Sequence, residues 1–162
     1  MTRHASINAP GSTRARSQGL TFIELMAVVA IISVLAVVAL ATYNQYVVRS
    51  KVAEGLVFAA EAKTSVSEHF YSNNRMPIDN YEAGLPAPGD YDQYEFIERL
   101  DIVTVNGQGG VIELTLKIPE LGSDNILHLV PSTIDIPVGW KCTPAAVNGV
   151  PIDNLPASCR LQ

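Results

Sequence analysis

The sequence of 162 residues predicts an α+β fold. A long N-terminal α-helix, its hydrophobic half protruding, packs by its second half on a four-stranded antiparallel sheet, with a C-terminal disulfide loop. Three observations carry this reading. No charge occurs from Leu25 to Val48; charged and apolar residues then alternate at helical spacing as far as Phe70; strand-like runs begin at Tyr94. The length suits one globular domain plus an extension.

The net charge of -5 conceals an asymmetry. Residues 1–19 carry Arg3, Arg14 and Arg16 with no acid, whereas all 16 acidic residues lie beyond Gly19. Such an acidic body lacks the clustered cations that phosphate-backbone binding requires, so direct nucleic-acid binding is not expected. Enzyme chemistry is not indicated either. His4, His69 and His128 are scattered without metal-ligand spacing. No nucleophile elbow appears, and the Gly-rich NGQGG stretch falls in a predicted hairpin, not between a strand and a helix. No cofactor or metal is implied. Asp90 and Asp92 flank Tyr91, but no loop of calcium-binding spacing follows, and a solvated turn is the expectation.

Met1 to Gly19 is polar and basic, with no apolar segment of its own. An ordinary signal peptide has its apolar region before the cleavage site; here the apolar segment follows Gly19, so cleavage there would leave it on the mature chain. The basic leader would stay cytoplasmic by the positive-inside rule. As a helix, Leu25–Val48 spans about 36 Å, enough to cross a hydrocarbon core of roughly 30 Å. Within this apolar context Glu24 stands alone, and an intramembrane carboxylate is costly unless paired.

The stretch GLTFIELMAVVAIISVLAVVALATYNQYVVRSKVAEGL, Gly19 to Leu56, resembles the N-terminal signature of type IV pilins. The resemblance implies a prepilin peptidase that cuts between Gly19 and Leu20, N-methylation of Leu20, and an assembly role for Glu24. Cleavage creates a cationic amine at Leu20, about one helical turn from Glu24. Glu24 can pair with its own amine or with that of a neighbouring subunit; desolvation offsets much of the attraction, so the pair acts as a register device. Three positions depart from the commonest pattern. Leu20 replaces the usual Phe, the 19-residue leader is long for the type IVa branch, and Ala41 stands where many members have Pro. Because Pro would remove a backbone donor and loosen the helix, the local melting inferred for the family's filaments is not implied here.

Beyond Tyr46, Arg49, Lys51, Glu54, Glu61, Lys63 and Glu68 interleave with Val52, Leu56, Ala59, Val66 and Phe70. These apolar positions mark one face of an amphipathic helix. Gly55 weakens it locally. One helix is predicted over Leu20–Tyr71, roughly 78 Å long, its second-half face serving as a core stripe under a sheet, with a coiled-coil seam as the alternative. Residues 73–93 read as a connecting loop. Strands are predicted over Tyr94–Val105 and Val111–Ile118, joined by a hairpin at Asn106-Gly107, then over Asn125–Ser132 and Pro137–Lys141. The domain boundaries are a leader at 1–19, a transmembrane or filament-core helix half at 20–48, and a globular head at 49–162 with a disulfide-bounded region at 142–159.

Cys142 and Cys159 are the only cysteines. If the body lies outside the cytoplasm the pair most simply forms one disulfide; two reduced thiols are the alternative. GWKC and LPASC resemble the disulfide-bounded C-terminal region of type IVa pilins, which pseudopilins of type II secretion commonly lack. The function the resemblance implies is therefore a structural subunit of a type IV pilus, a homo-oligomeric helical filament of a kind that serves adhesion, twitching motility and sometimes DNA uptake. A minor pilin or a secretion pseudopilin is the alternative. The implied partners are the inner membrane before assembly, prepilin peptidase, the pilus assembly machinery with its cytoplasmic ATPases, and host or abiotic surfaces. The implied localisation is the inner membrane, single-pass, and then the extracellular pilus.

Overall fold

A computed structural model describes residues 19–134 and 136–160. The leader reading, with Arg3, Arg14, Arg16 and His4, lies outside the described residues up to Gly19. The element order is α1 (Phe22–Asn73), β1 (Ile97–Val105), β2 (Gln108–Leu116), β3 (Ile126–Ser132), β4 (Gly139–Pro144) and α2 (Ala157–Arg160), with short 3-10 turns at Pro88–Gln93, Pro119–Leu121 and Ile152–Asn154. The chain divides into two compact units, residues 1–39 and 40–162.

In the first unit every described residue is exposed, and the chain enters α1 at Phe22. The sequence predicts this helix over Leu20–Tyr71; it occupies Phe22–Asn73, two residues later at each end. The displaced start has a cap at Thr21, described below. The displaced end reflects Asn74, whose φ of 56° leaves the helical region and stops the ladder. Helical hydrogen bonding continues past Ala41, where a proline would have interrupted it.

In the second unit, the four strands form an antiparallel meander in the order β1-β2-β3-β4. Leu100, Ile112, Leu114, Leu116, Leu127 and Leu129 are buried in one cluster with the α1 residues Val48, Val52, Ala59, Ala62 and Val66. The helix face thus serves as a core stripe under the sheet. Its composition differs from the predicted face: Phe70 is partly exposed and Leu56 packs at the margin, whereas Gly55 and Ala62 are buried. Small residues suit this position because the sheet lies close. A Cβ on Gly55 would come within 2.6 Å of Leu116 Cδ2. Gly55, expected only to weaken the helix, is the point of closest approach.

Strand boundaries shift for local reasons. Asn106 and Gly107, at φ 51° and 81°, make a two-residue turn, so pairing resumes at once with Val105 opposite Gln108. The strand predicted at Val111–Ile118 therefore starts earlier, at Gln108, and ends at Leu116 before the turn at Pro119–Leu121. The first strand begins at Ile97, not Tyr94, because Tyr94 closes the turn Pro88–Gln93 onto the Tyr91 carbonyl at 3.0 Å. Its ring packs on Phe58 with centroids 4.8 Å apart. Burial, with Glu61 nearby, pushes the Tyr91 phenol up to about 12. The fourth strand occupies Gly139–Pro144, placing Cys142 within the sheet.

The loop at 73–93 is held by polar contacts. Arg75 donates to both Glu82 oxygens at 2.8 and 3.0 Å, and the Ile78 N–H adds a third bond at 3.1 Å. These bonds hold the Glu82 carboxyl down at about 2. Asn80, only 4% exposed, donates to the carbonyls of Pro86 and Leu100 and accepts from the Ile102 N–H at 2.7 Å. Its amide thus substitutes for a strand partner along the edge of β1. Asp92, one of the two acids weighed for calcium, instead holds Lys117 at 2.6 Å.

Candidate assembly site

Gly19 and Leu20 precede α1 in non-helical conformation, and Leu20 is 72% exposed. The first turn is closed reciprocally. The Glu24 N–H donates to Thr21 Oγ1 at 3.3 Å, and the Thr21 N–H donates to Glu24 Oε2 at 3.5 Å. This is a capping box, with Thr21 as N-cap and Glu24 at the third helical position. It gives two backbone donors at the helix start a partner and sets a carboxylate where the helix dipole favours negative charge. The lone charge of Glu24 does not by itself point to Thr21; the sequence signal for the cap is Thr-x-x-Glu directly before an apolar run.

From Leu25 to Tyr46 no side chain is buried. The surface is aliphatic on all sides, with Ile31, Val34, Leu35, Val37 and Val38 all exposed. α1 is long and apolar enough to cross a membrane. Ser33 carries a hydroxyl in this segment and returns it to the Val29 carbonyl at 2.7 Å, so that polar group is satisfied within the helix.

At the other end of the chain, Cys142 and Cys159 are joined, 17 residues apart in sequence. The bond ties β4 to α2. Cys159 is buried in α2, and the Arg160 guanidinium returns to the carbonyls of Leu155 and Asp153 at 2.7 and 3.0 Å. The bridge thus holds the segment beyond β4 together with the backbone bonds between Ile126 and the Asn148–Val150 stretch and the buried Val150 and Leu155. Among the described residues no three His, Cys, Asp or Glu side chains converge on a point where a metal could bind. His128 sits in β3 with Nε2 2.9 Å from Glu113 Oε2 on the neighbouring strand. His69 is on α1.

Comparison with known proteins places these features in a family. The family model of pilin, a bacterial filament protein, matches residues 48–160. That of the prokaryotic N-terminal methylation motif matches residues 14–40. The fimbrial protein EcpC of Eikenella corrodens is 34% identical over 88% of this chain and 90% of its own length. A fimbrial protein of Neisseria meningitidis is 29% identical over 88% and 94%. The type IV major pilin protein PilE of Neisseria gonorrhoeae is 29% identical over 77% and 73%. A match over most of the globular part, with a second over the capped apolar start, shows that this chain belongs to the pilin family of bacterial filament proteins.

Proposed function

We propose that this chain is a structural subunit of a type IV pilus, made as a precursor anchored in the inner membrane. The observation that carries the reading is the helix surface from Leu25 to Tyr46, apolar on every side and exposed throughout. A surface of that size is unfavourable in water, at roughly 25 cal/mol for each Å² exposed. It is at home first in lipid and then among copies of itself, so assembly replaces lipid with protein. Prepilin peptidase cuts between Gly19 and Leu20, and the new N-terminus is methylated. Residues 20–48 form the anchor and filament core, and residues 49–162 the head.

In the precursor, Glu24 accepts the Thr21 N–H. Cleavage adds a cationic amine at Leu20, the residue before the Thr21 cap and four before Glu24. A buried carboxylate that gains an opposite charge has its desolvation penalty offset by the attraction, whereas one left unpaired in the filament core bears it in full. Glu24 therefore sets the register between neighbouring subunits. The relatives named as fimbrial proteins and major pilins support the role of a main filament component, working with the assembly machinery and its ATPases in adhesion and twitching motility. The acidity of the body leaves any DNA uptake to other subunits.

The test is Glu24→Ala. The variant should fold and remain in the membrane while the yield of sheared filaments falls by about tenfold or more, as expected when a buried charge loses its partner. Filament yield equal to that of the parent would contradict the proposal.

A further inference from the structure

Four of the eight Lys and Arg side chains of the second unit hold a carboxylate. Lys51 reaches Glu120 at 2.6 Å, Arg75 reaches Glu82 at 2.8 Å, Lys117 reaches Asp92 at 2.6 Å, and Arg99 pairs with Asp101. Arg49 and Arg160 differ. Each donates a terminal N–H to the same neutral atom, the Asp153 carbonyl oxygen, at 2.9 and 3.0 Å. Arg49 Nε is buried and has no acceptor among the described residues. Arg160 also donates its Nε–H to the Leu155 carbonyl at 2.7 Å, so the terminal N–H groups not already held are the donors left for an anion. Two guanidinium groups converging on one carbonyl repel each other until an anion joins them, and such N–H groups suit phosphate oxygens.

Their place in the chain limits what that anion is. Arg49 is the first charged residue after the run that begins at Leu25. Tyr43 and Tyr46, 62% and 68% exposed, lie within two turns before it, the position of an interfacial aromatic belt. A groove of about 290 Å³ opens here, lined by Tyr46, Arg49, Ser50, Ala53, Pro156 and Ala157. It offers a cation and a hydroxyl beside apolar walls.

We propose that Arg49 and Arg160 cradle the phosphate of an anionic lipid headgroup while the subunit resides in the membrane. The inference rests on the membrane-anchored precursor proposed above. A lipid is favoured over free phosphate because the groove pairs its cation with apolar walls and stands where the uncharged run ends. The rival occupant is a carboxylate of a second copy, since Glu54, Glu61 and Glu68 are exposed on α1. The acidic body is repelled by an anionic surface, so lipid capture depends on this local pair and not on overall charge.

The experiment reconstitutes the full-length chain in phosphatidylcholine vesicles with and without phosphatidylglycerol, follows flotation, and counts retained lipid by native mass spectrometry. The parent should retain phosphatidylglycerol selectively. Retention should drop about fivefold for each of Arg49→Gln and Arg160→Gln and about 30-fold for both. Lys141→Gln, which removes an exposed cation on β4, should leave it unchanged. Arg49→Lys, which keeps the charge and the fold but loses the fork, should fall between the parent and Arg49→Gln. Equal retention by parent and double variant would overturn the inference, as would inorganic phosphate binding as well as the lipid. So would a double variant that keeps its lipid and loses only filament assembly, which would assign the site to a neighbour's carboxylate. Flotation separates the two readings. A parent that does not float contradicts the membrane anchor and this inference with it; one that floats without lipid selectivity contradicts this inference alone.

Discussion

Between Leu25 and Tyr46, helix α1 presents Val, Leu, Ile and Ala on every side, and all of them are exposed. Between Val48 and Val66 it presents one narrow stripe of small residues, and that stripe is buried. Both halves are helical and both are apolar where it counts, so helix propensity does not distinguish them. The difference lies in where the partner is. The stripe Val48, Val52, Gly55, Ala59, Ala62 and Val66 is shaped to one sheet, and Gly55 is as small as it is because Leu116 stands 2.6 Å from where its Cβ would be. The first half has no such shape constraint within its own chain. In the role proposed above its surroundings are interchangeable, lipid or like helices, in which general apolarity matters and individual volume matters less.

The largest effect on the shaped side comes from its covalent tie. Replacing both Cys142 and Cys159 by Ser should destabilise the head by about 3 kcal/mol, the value for closing a loop of this length. Denaturant unfolding of the detergent-solubilised chain measures it, with the helicity of residues 20–46 expected to be unaffected. A change that melted both halves together would erase the contrast between them.

A matched pair of volume changes sharpens the comparison further. Gly55→Val should cost about 1–3 kcal/mol by overpacking against Leu116. Ala30→Val adds atoms on the exposed half and should stay within about 0.5 kcal/mol. Equal losses in the same unfolding measurement would show that the exposed half is as tightly specified as the buried one.

The smallest effect is a pH dependence confined to the loop after α1. Glu82 titrates at about 2, held down by its bonds to Arg75 and Ile78. Because its folded value is depressed, its contribution is present above the ordinary carboxylate range and disappears as pH falls through about 2. Carboxyl NMR should find Glu82 still ionised well below the ordinary carboxylate range. A midpoint near 4.5 would dissolve the Arg75 clamp as an ordering device.

The sequence displayed these features unevenly. The uncharged run and the alternation of Ile112, Leu114 and Leu116 with polar neighbours are periodic signals, and periodicity survives without coordinates. Asn106-Gly107 was legible as a turn because its chemistry requires positive φ. What it did not reveal is how short the turn is, and so where β2 begins. Gly55 was misleading, since a glycine in a helix reads as a defect until a leucine from a distant strand is found against it. Phe70 fell on the right spacing but beyond the sheet's coverage. Asn80 had no signal at all: two of its three bonds depend on the edge of β1 passing about 20 residues later in sequence. At the candidate site Glu24 was conspicuous and Thr21 was overlooked, although the cap needs both. Arg49 and Arg160 could not have been paired by sequence, because only the fold brings them to one carbonyl.

The central claim is that the exposed half of α1 becomes an assembly surface once the chain is cut ahead of it. Mass spectrometry of sheared extracellular filaments tests this most directly. The account predicts an abundant chain beginning at N-methylated Leu20 and two hydrogens lighter than its reduced form, as the Cys142–Cys159 bond requires. Filaments devoid of this chain, with intact Met1-initiated protein confined to the membrane, would contradict it.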